Sequence, residues 1–263
     1  MKFQRESGTA AVTVCGTTGE AATMTPDERY DAVSFCKRAA GHMEIVAGAG
    51  GNSTAATVET AQACEAAGAD AVLIVTPYYN RPTQSGLIAH FVHVADSVSI
   101  PVILYNVPSR TGVSIAAETY QVLAAHPNIN GVKEASGSFR LMTEVRRLCG
   151  DDLTVWSGND DITVPMMAMG AKGVISVAAN IVPGAMAAMT SLALKGDFPA
   201  AAALQLHYAE LIEALFCETN PIPVKAAMAK MGLCGGALRL PMTELSGERK
   251  KTLYSAMERV GLY

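Results

Sequence analysis

The chain has 263 residues, half of them hydrophobic and 17% charged, with a formal net charge of −4. That length suits one large core, as in single α/β barrels, and with no basic patch nucleic acid is not an expected partner. No apolar run approaches the ~18 residues of a spanning helix, so no membrane partner is expected. Met1–Gly8 lacks the apolar run of a secretory signal. The six cysteines are scattered without C-x-x-C spacing, which suits reduced thiols in the cytoplasm better than a zinc cluster or a disulfide framework.

In chain order, short apolar runs alternate with longer helical patterns. Ala10–Cys15 reads as a strand. Pro26–Ala39 reads as the helix after it, opened by Thr25 at the N-cap, Pro26 at the first helical position and Glu28 closing a capping box. Strand Glu44–Ala49 and helix Thr54–Ala67 follow, then Ala71–Thr76 with Thr83–Ser97, Pro101–Asn106 with Ile115–Ala125, and Asn130–Lys133 with Ser138–Leu148. Leu153–Ser157 with Asp160–Met169 and Gly173–Val177 with Pro183–Leu194 complete the series. Most of these strands are continuously apolar, as strands buried on both faces of a parallel sheet are. Seven units point to a (β/α)8 TIM barrel, which fits eight into about 250 residues; a doubly wound sheet is the alternative. Phe198–Glu218, Pro221–Met231 and Ser246–Val260 read as a C-terminal helical extension, so one domain divides into a barrel over 1–196 and an extension over 197–263.

Lys133 is the one lysine of nine that closes a strand-like run. In a barrel that end carries the active site. An ordinary lysine, with a pKa near ~10.4, is protonated at neutral pH and cannot attack a carbonyl; burial or a nearby cation would free the amine. A structural ion pair with Glu134 is the equal alternative. Gly16-Thr17-Thr18-Gly19-Glu20 after the first strand offers hydroxyls and backbone N–H groups to a carboxylate or phosphate, or is simply a strand-to-helix turn. The run Gly48–Ser53 lacks the third glycine of a dinucleotide fingerprint and is not read as one. Tyr78 and Tyr79 sit in a polar, proline-bounded loop. Tyr105 and Arg110, five apart after the fourth strand, can pair a proton donor with a planar carboxylate clamp. His90 and His93, three apart, are expected on an exposed helix face rather than at a metal.

The ordered set GTTGE (16–20), TPYYNRP (76–82), YNVPSRTG (105–112), GVKEASG (131–137), SGND (157–160), GVISV (173–177) and NPIPVK (220–225) resembles the dihydrodipicolinate synthase family of pyruvate-dependent aldolases. The resemblance runs from about Gly8 to the C-terminus. It implies a lyase that joins pyruvate to L-aspartate 4-semialdehyde through an imine on Lys133. It further implies that Tyr105 moves protons at that imine through Thr17 and Tyr79, with Tyr79 reaching a neighbouring subunit in a homodimer or homotetramer. Thr18 would hold the pyruvate carboxylate, Arg110 that of the aldehyde, and Gly158 and Ile175 would line the pyruvate pocket. No metal or organic cofactor is expected. A sister aldolase acting on N-acetylneuraminate or keto-deoxy-sugar acids, and a catalytically weak binding protein, are the alternatives.

Two departures from the family pattern carry expectations. The family has a further strand before the point matching Met1, so the barrel is expected to be open or repaired there, with Met1–Ser7 as the tail of a helix. The family's lysine feedback site uses polar and charged residues; the matching positions here keep Asn52 and Tyr78 but show Ala21, Pro26, Arg29 and Ala56, and the acid expected at Ala56 is missing.

Overall fold

Six strands form one all-parallel sheet in which every neighbour in space is also the neighbour in sequence, in the order β1-β2-β3-β4-β5-β6. The computed structural model describes residues 1–263. The strands are β1 (Ala11–Val14), β2 (Glu44–Gly48), β3 (Ala71–Val75), β4 (Val102–Asn106), β5 (Ile129–Glu134) and β6 (Thr154–Ser157). The helices are α1 (Lys2–Glu6), α2 (Pro26–Ala39), α3 (Thr54–Ala66), α4 (Gln84–Asp96), α5 (Pro108–Thr111), α6 (Ala117–Ala124) and α7 (Phe139–Cys149). They continue with α8 (Thr163–Ala168), α9 (Pro183–Leu194), α10 (Phe198–His207), α11 (Ala209–Ala214), α12 (Ile222–Lys230) and α13 (Gly247–Arg259). A doubly wound sheet reverses its strand order at a switch point; this sheet never does, which removes that alternative.

The continuously apolar strands have the reason expected. Side chains alternate across a strand, and here both faces are covered. Ile45, Val72, Ile74, Val102, Leu104, Val132 and Val155 enter the large core shared with the helices. Val46, Ala71, Leu73, Ile103 and Tyr105 form a smaller cluster on the opposite face. The helices dock by short apolar stripes, such as Met142, Val145 and Cys149 of α7, which fall on one side of a 3.6-residue period. The capping box of α2 is present, with Thr25 Oγ1 accepting from Glu28 N–H and Glu28 accepting from Thr25 N–H.

The structure corrects several sequence expectations. Gly173–Val177 is not a full strand. It makes a single parallel bridge, Ser157 to Val174, and then turns into a one-turn helix at Ala178–Asn180. Asp160 holds that turn: its buried carboxylate accepts the N–H groups of Val177 and Ala178, both at 2.9 Å. His90 is buried, sharing a 2.9 Å hydrogen bond with Thr54 Oγ1; only His93 is on the exposed face. The long helix expected over Phe198–Glu218 breaks at Tyr208.

The sheet stays open between β1 and the Val174 segment. The register Ala11–Glu44 and the bond from Glu44 N–H to Ala10 C=O turn alternate groups of β1 towards β2. The backbone groups of Ala11 and Thr13 therefore face the seam, and neither N–H has a backbone partner. The amides of Ala11 and Thr13 are expected to exchange with deuterium well before those of Val12 and Val14, by NMR-detected exchange. Equal protection along β1 would show that the seam is closed in solution.

Candidate active site

One cavity of about 960 Å³ runs along the open seam, from Gln4, Ala10 and Met186 of α9 up to the carboxyl ends of β1, β4, β5 and β6. Seven of the eight candidate residues line it: Thr17, Thr18, Tyr105, Arg110, Lys133, Gly158 and Ile175. Tyr79 does not. It is 91% exposed, with φ of +74°, a conformation that costs a tyrosine roughly 1–3 kcal/mol.

Register places the central pair. Tyr105 on β4 is directly opposite Lys133 on β5, and period-2 alternation turns both side chains to the same face. Lys133 Nζ lies 4.6 Å from the centre of the Tyr105 ring. Burial lowers the Lys133 pKa to about 8; the Asp160 carboxylate opposes that shift and the Arg110 guanidinium adds to it. Burial also raises the Tyr105 phenol above its ordinary value, while Arg110 and the neighbouring Thr17 hydroxyl pull it down. The cluster thus holds an amine that is partly neutral near neutral pH and a phenol that stays protonated. Gly158 is needed beside them, because a Cβ there would stand 2.6 Å from Ala135 Cβ and 3.1 Å from Lys133 Cε.

Glu134 is not the partner of Lys133. It points to the other face, where it is buried against Asn106, Tyr120 and the N–H of Ser136. The alternation of the strand requires this: adjacent residues cannot share a face.

The first loop is built for close approach. Cys15 and Glu20 take left-handed backbone at φ of +55° and +58° and bracket the Thr17-Thr18 turn. Gly48 lets the chain pass, since a Cβ at that position would lie 2.1 Å from Cys15 O. Glu20 is ion-paired to Lys225 on α12 and accepts from Arg239 N–H, which ties this loop to the C-terminal helices. Asn220 makes a second tie: its Nδ2 donates to Thr18 Oγ1 at 3.0 Å, and its carbonyl accepts from Arg110 Nη2 at 3.4 Å. Arg110 itself sits on α5, a single turn that sequence reading missed, and is exposed at the cavity rim. Asn220 and Asp160 were also missed as site residues. Both lie inside motifs already singled out, and a polar side chain three residues past a strand, or directly before a proline-rich turn, was the available signal.

A lysine of lowered pKa and a buried phenol on adjacent strand ends of a sequentially ordered parallel sheet fit the class of α/β enzymes, in which that end of the sheet faces the cavity. The model of the dihydrodipicolinate synthetase family matches residues 1–260. The chain is 48% identical over 263 residues to 4-hydroxy-tetrahydrodipicolinate synthase of Geobacter sulfurreducens, covering 100% of this chain and 91% of that one. It superimposes with a TM-score of 0.97 on dihydrodipicolinate synthase from Aquifex aeolicus at 43% identity, covering 99% and 90% of the two chains. The Acinetobacter baumannii enzyme, solved in complex with pyruvate, gives the same TM-score at 40% identity, covering 100% and 90%. The chain belongs to the dihydrodipicolinate synthetase family.

Proposed function

We propose that this chain condenses pyruvate with L-aspartate 4-semialdehyde to 4-hydroxy-tetrahydrodipicolinate, in the biosynthesis of lysine and diaminopimelate, through an imine on Lys133. The observation that carries the residue assignment is the lowered Lys133 amine beside Tyr105, in a cavity that also presents Thr18 and Arg110.

The neutral amine attacks the pyruvate carbonyl and water leaves. The resulting iminium takes up electrons when the adjacent methyl loses a proton, and the enamine formed attacks the aldehyde carbon. The amine of the second substrate then displaces lysine as the ring closes. Tyr105, placed over Lys133 and beside Thr17, suits the proton transfers. Thr18, with the free N–H groups of its turn, suits the pyruvate carboxylate, and Gly158 and Ile175 wall the pocket. Arg110 at the rim suits the carboxylate of the second, larger substrate. Tyr79 completes the relay only from a neighbouring copy, so the active form in this reading is a homodimer or homotetramer, and six free cysteines suit the cytosol. The finer fold reading is a (β/α)8-type barrel open at the β1 seam, with residues 197–263 as its helical extension; the ties from Glu20 and Asn220 support counting both as one domain.

A coupled assay with pyruvate and aspartate semialdehyde tests the activity. Turnover of N-acetylneuraminate or a keto-deoxy-sugar acid in place of the semialdehyde would assign the chain to a sister aldolase. No turnover of either, with pyruvate still bound, would mark a binding protein.

Lysine is expected to inhibit poorly or not at all. Ala56 is exposed at the start of α3, and neither it nor Pro26 offers a carboxylate; a lysine ammonium buried without one is costly. Inhibition at sub-millimolar lysine in the same assay would overturn this.

A further inference from the structure

Behind the sheet, on the face away from the cavity, lies a buried polar network with no part in the chemistry above. Glu134 follows Lys133, Asn106 follows Tyr105, and the two are paired in register just as Lys133 and Tyr105 are. Asn106 Nδ2 donates to both Glu134 oxygens, at 3.2 and 3.0 Å. Tyr120 of α6 donates its O–H to Glu134 Oε2 at 2.7 Å, and Ser136 donates its N–H to Oε1 at 2.7 Å. Asn106 Oδ1 accepts the N–H of Ile115 at 3.1 Å. Asn106, Glu134 and Tyr120 are all buried.

Stability alone does not call for this network. Apolar residues of similar volume often hold a core as well as a buried charge does, because desolvation offsets most of the gain. What a fully bonded network adds is one fixed geometry. Its attachments decide what that geometry serves. It fixes the end of β4 that carries Tyr105 and the end of β5 that carries Lys133. Through Ile115 it also holds the far side of the segment bearing α5 and Arg110. The main chain continues the tie, since Ala135 N–H donates to Asn106 C=O at 2.8 Å and Gly158 N–H to Glu134 C=O at 2.7 Å.

We infer that Glu134, Asn106 and Tyr120 are positioning residues, a latch behind the sheet that sets how Lys133 and Tyr105 face each other across the cavity. This rests on the reading of Lys133 as the imine-forming residue. The latch works by complementarity: a carboxylate that only accepts meets an amide and a hydroxyl that donate. Glu134→Gln sets donor against donor, and Asn106→Asp sets carboxylate against carboxylate. The double variant restores one donor facing one acceptor at the same place.

The test measures kcat and KM in the coupled assay, melting temperature, and borohydride trapping of pyruvate with peptide mapping. Both single variants, assayed well below their melting points, are expected to lose about ten- to a hundredfold in kcat, with KM for pyruvate moved much less and the adduct still on Lys133. The double variant is expected to recover most of the lost kcat. Recovery of melting temperature without kcat would reduce the network to a structural role and overturn the proposal, as would an undiminished kcat in folded Glu134→Gln. If the single variants do not fold, Tyr120→Phe decides: it removes one hydroxyl and leaves Glu134 its other donors, and a severalfold loss of kcat supports the latch while none defeats it. An adduct that maps away from Lys133 in the unaltered protein would defeat the Lys133 assignment, and the latch with it.

Discussion

Lys133→Ala is expected to abolish the borohydride-trapped pyruvate adduct and to lower kcat by on the order of 10³-fold or more, the scale seen when a covalent nucleophile is removed. In the unaltered protein the adduct should add one pyruvate-derived mass, and a peptide map should place it at Lys133. The amine must be neutral to attack. With its pKa lowered to about 8 by burial, the trapping rate rises with pH through that value and levels off above it. Below it, the rate falls about tenfold per pH unit as the ammonium accumulates. A lysine at the ordinary value would still be gaining rate two pH units higher. Trapping unchanged in Lys133→Ala would remove the assignment, and a pH midpoint near that of free lysine would remove its physical basis.

Arg110→Ala is expected to separate the two substrates. Losing a charge-assisted carboxylate clamp costs about 2–5 kcal/mol in comparable recognition sites. Arg110 is exposed at the cavity rim and keeps much of its hydration, so the low end applies, roughly 2 kcal/mol, or about thirtyfold in kcat/KM for aspartate semialdehyde. Pyruvate trapping should survive. Its pH midpoint should move upward, because the guanidinium is the charge that adds to the lowering of the Lys133 pKa and its removal lets the ammonium persist to higher pH. A loss of pyruvate trapping equal to the loss with the aldehyde would show that Arg110 serves the first substrate or the fold instead.

The sequence by itself determined the alternation of six strands with their helices, the parallel sheet and the reactive strand ends. Those features follow from local physics: continuous apolar runs, caps such as Thr25 and Glu28, and the side-chain period of a strand. The ordered motifs also singled out seven residues that line the cavity, though not Asn220. Only the tertiary structure decided which face each of two adjacent residues serves. Lys133 and Glu134 look equally able to pair in a linear reading, but the register of β4 with β5 sends one to the cavity and the other to Asn106 and Tyr120. The same holds for Gly173–Val177, apolar enough to be a strand. It ends instead in a turn held by Asp160, whose bonds to Val177 and Ala178 cross a gap of 17 and 18 residues. His90 is a third case, buried by packing that a three-residue spacing does not encode. In each, the deciding partner lies on another element of the chain. Local pattern fixes what a segment can form, and the assembled sheet fixes what its side chains meet.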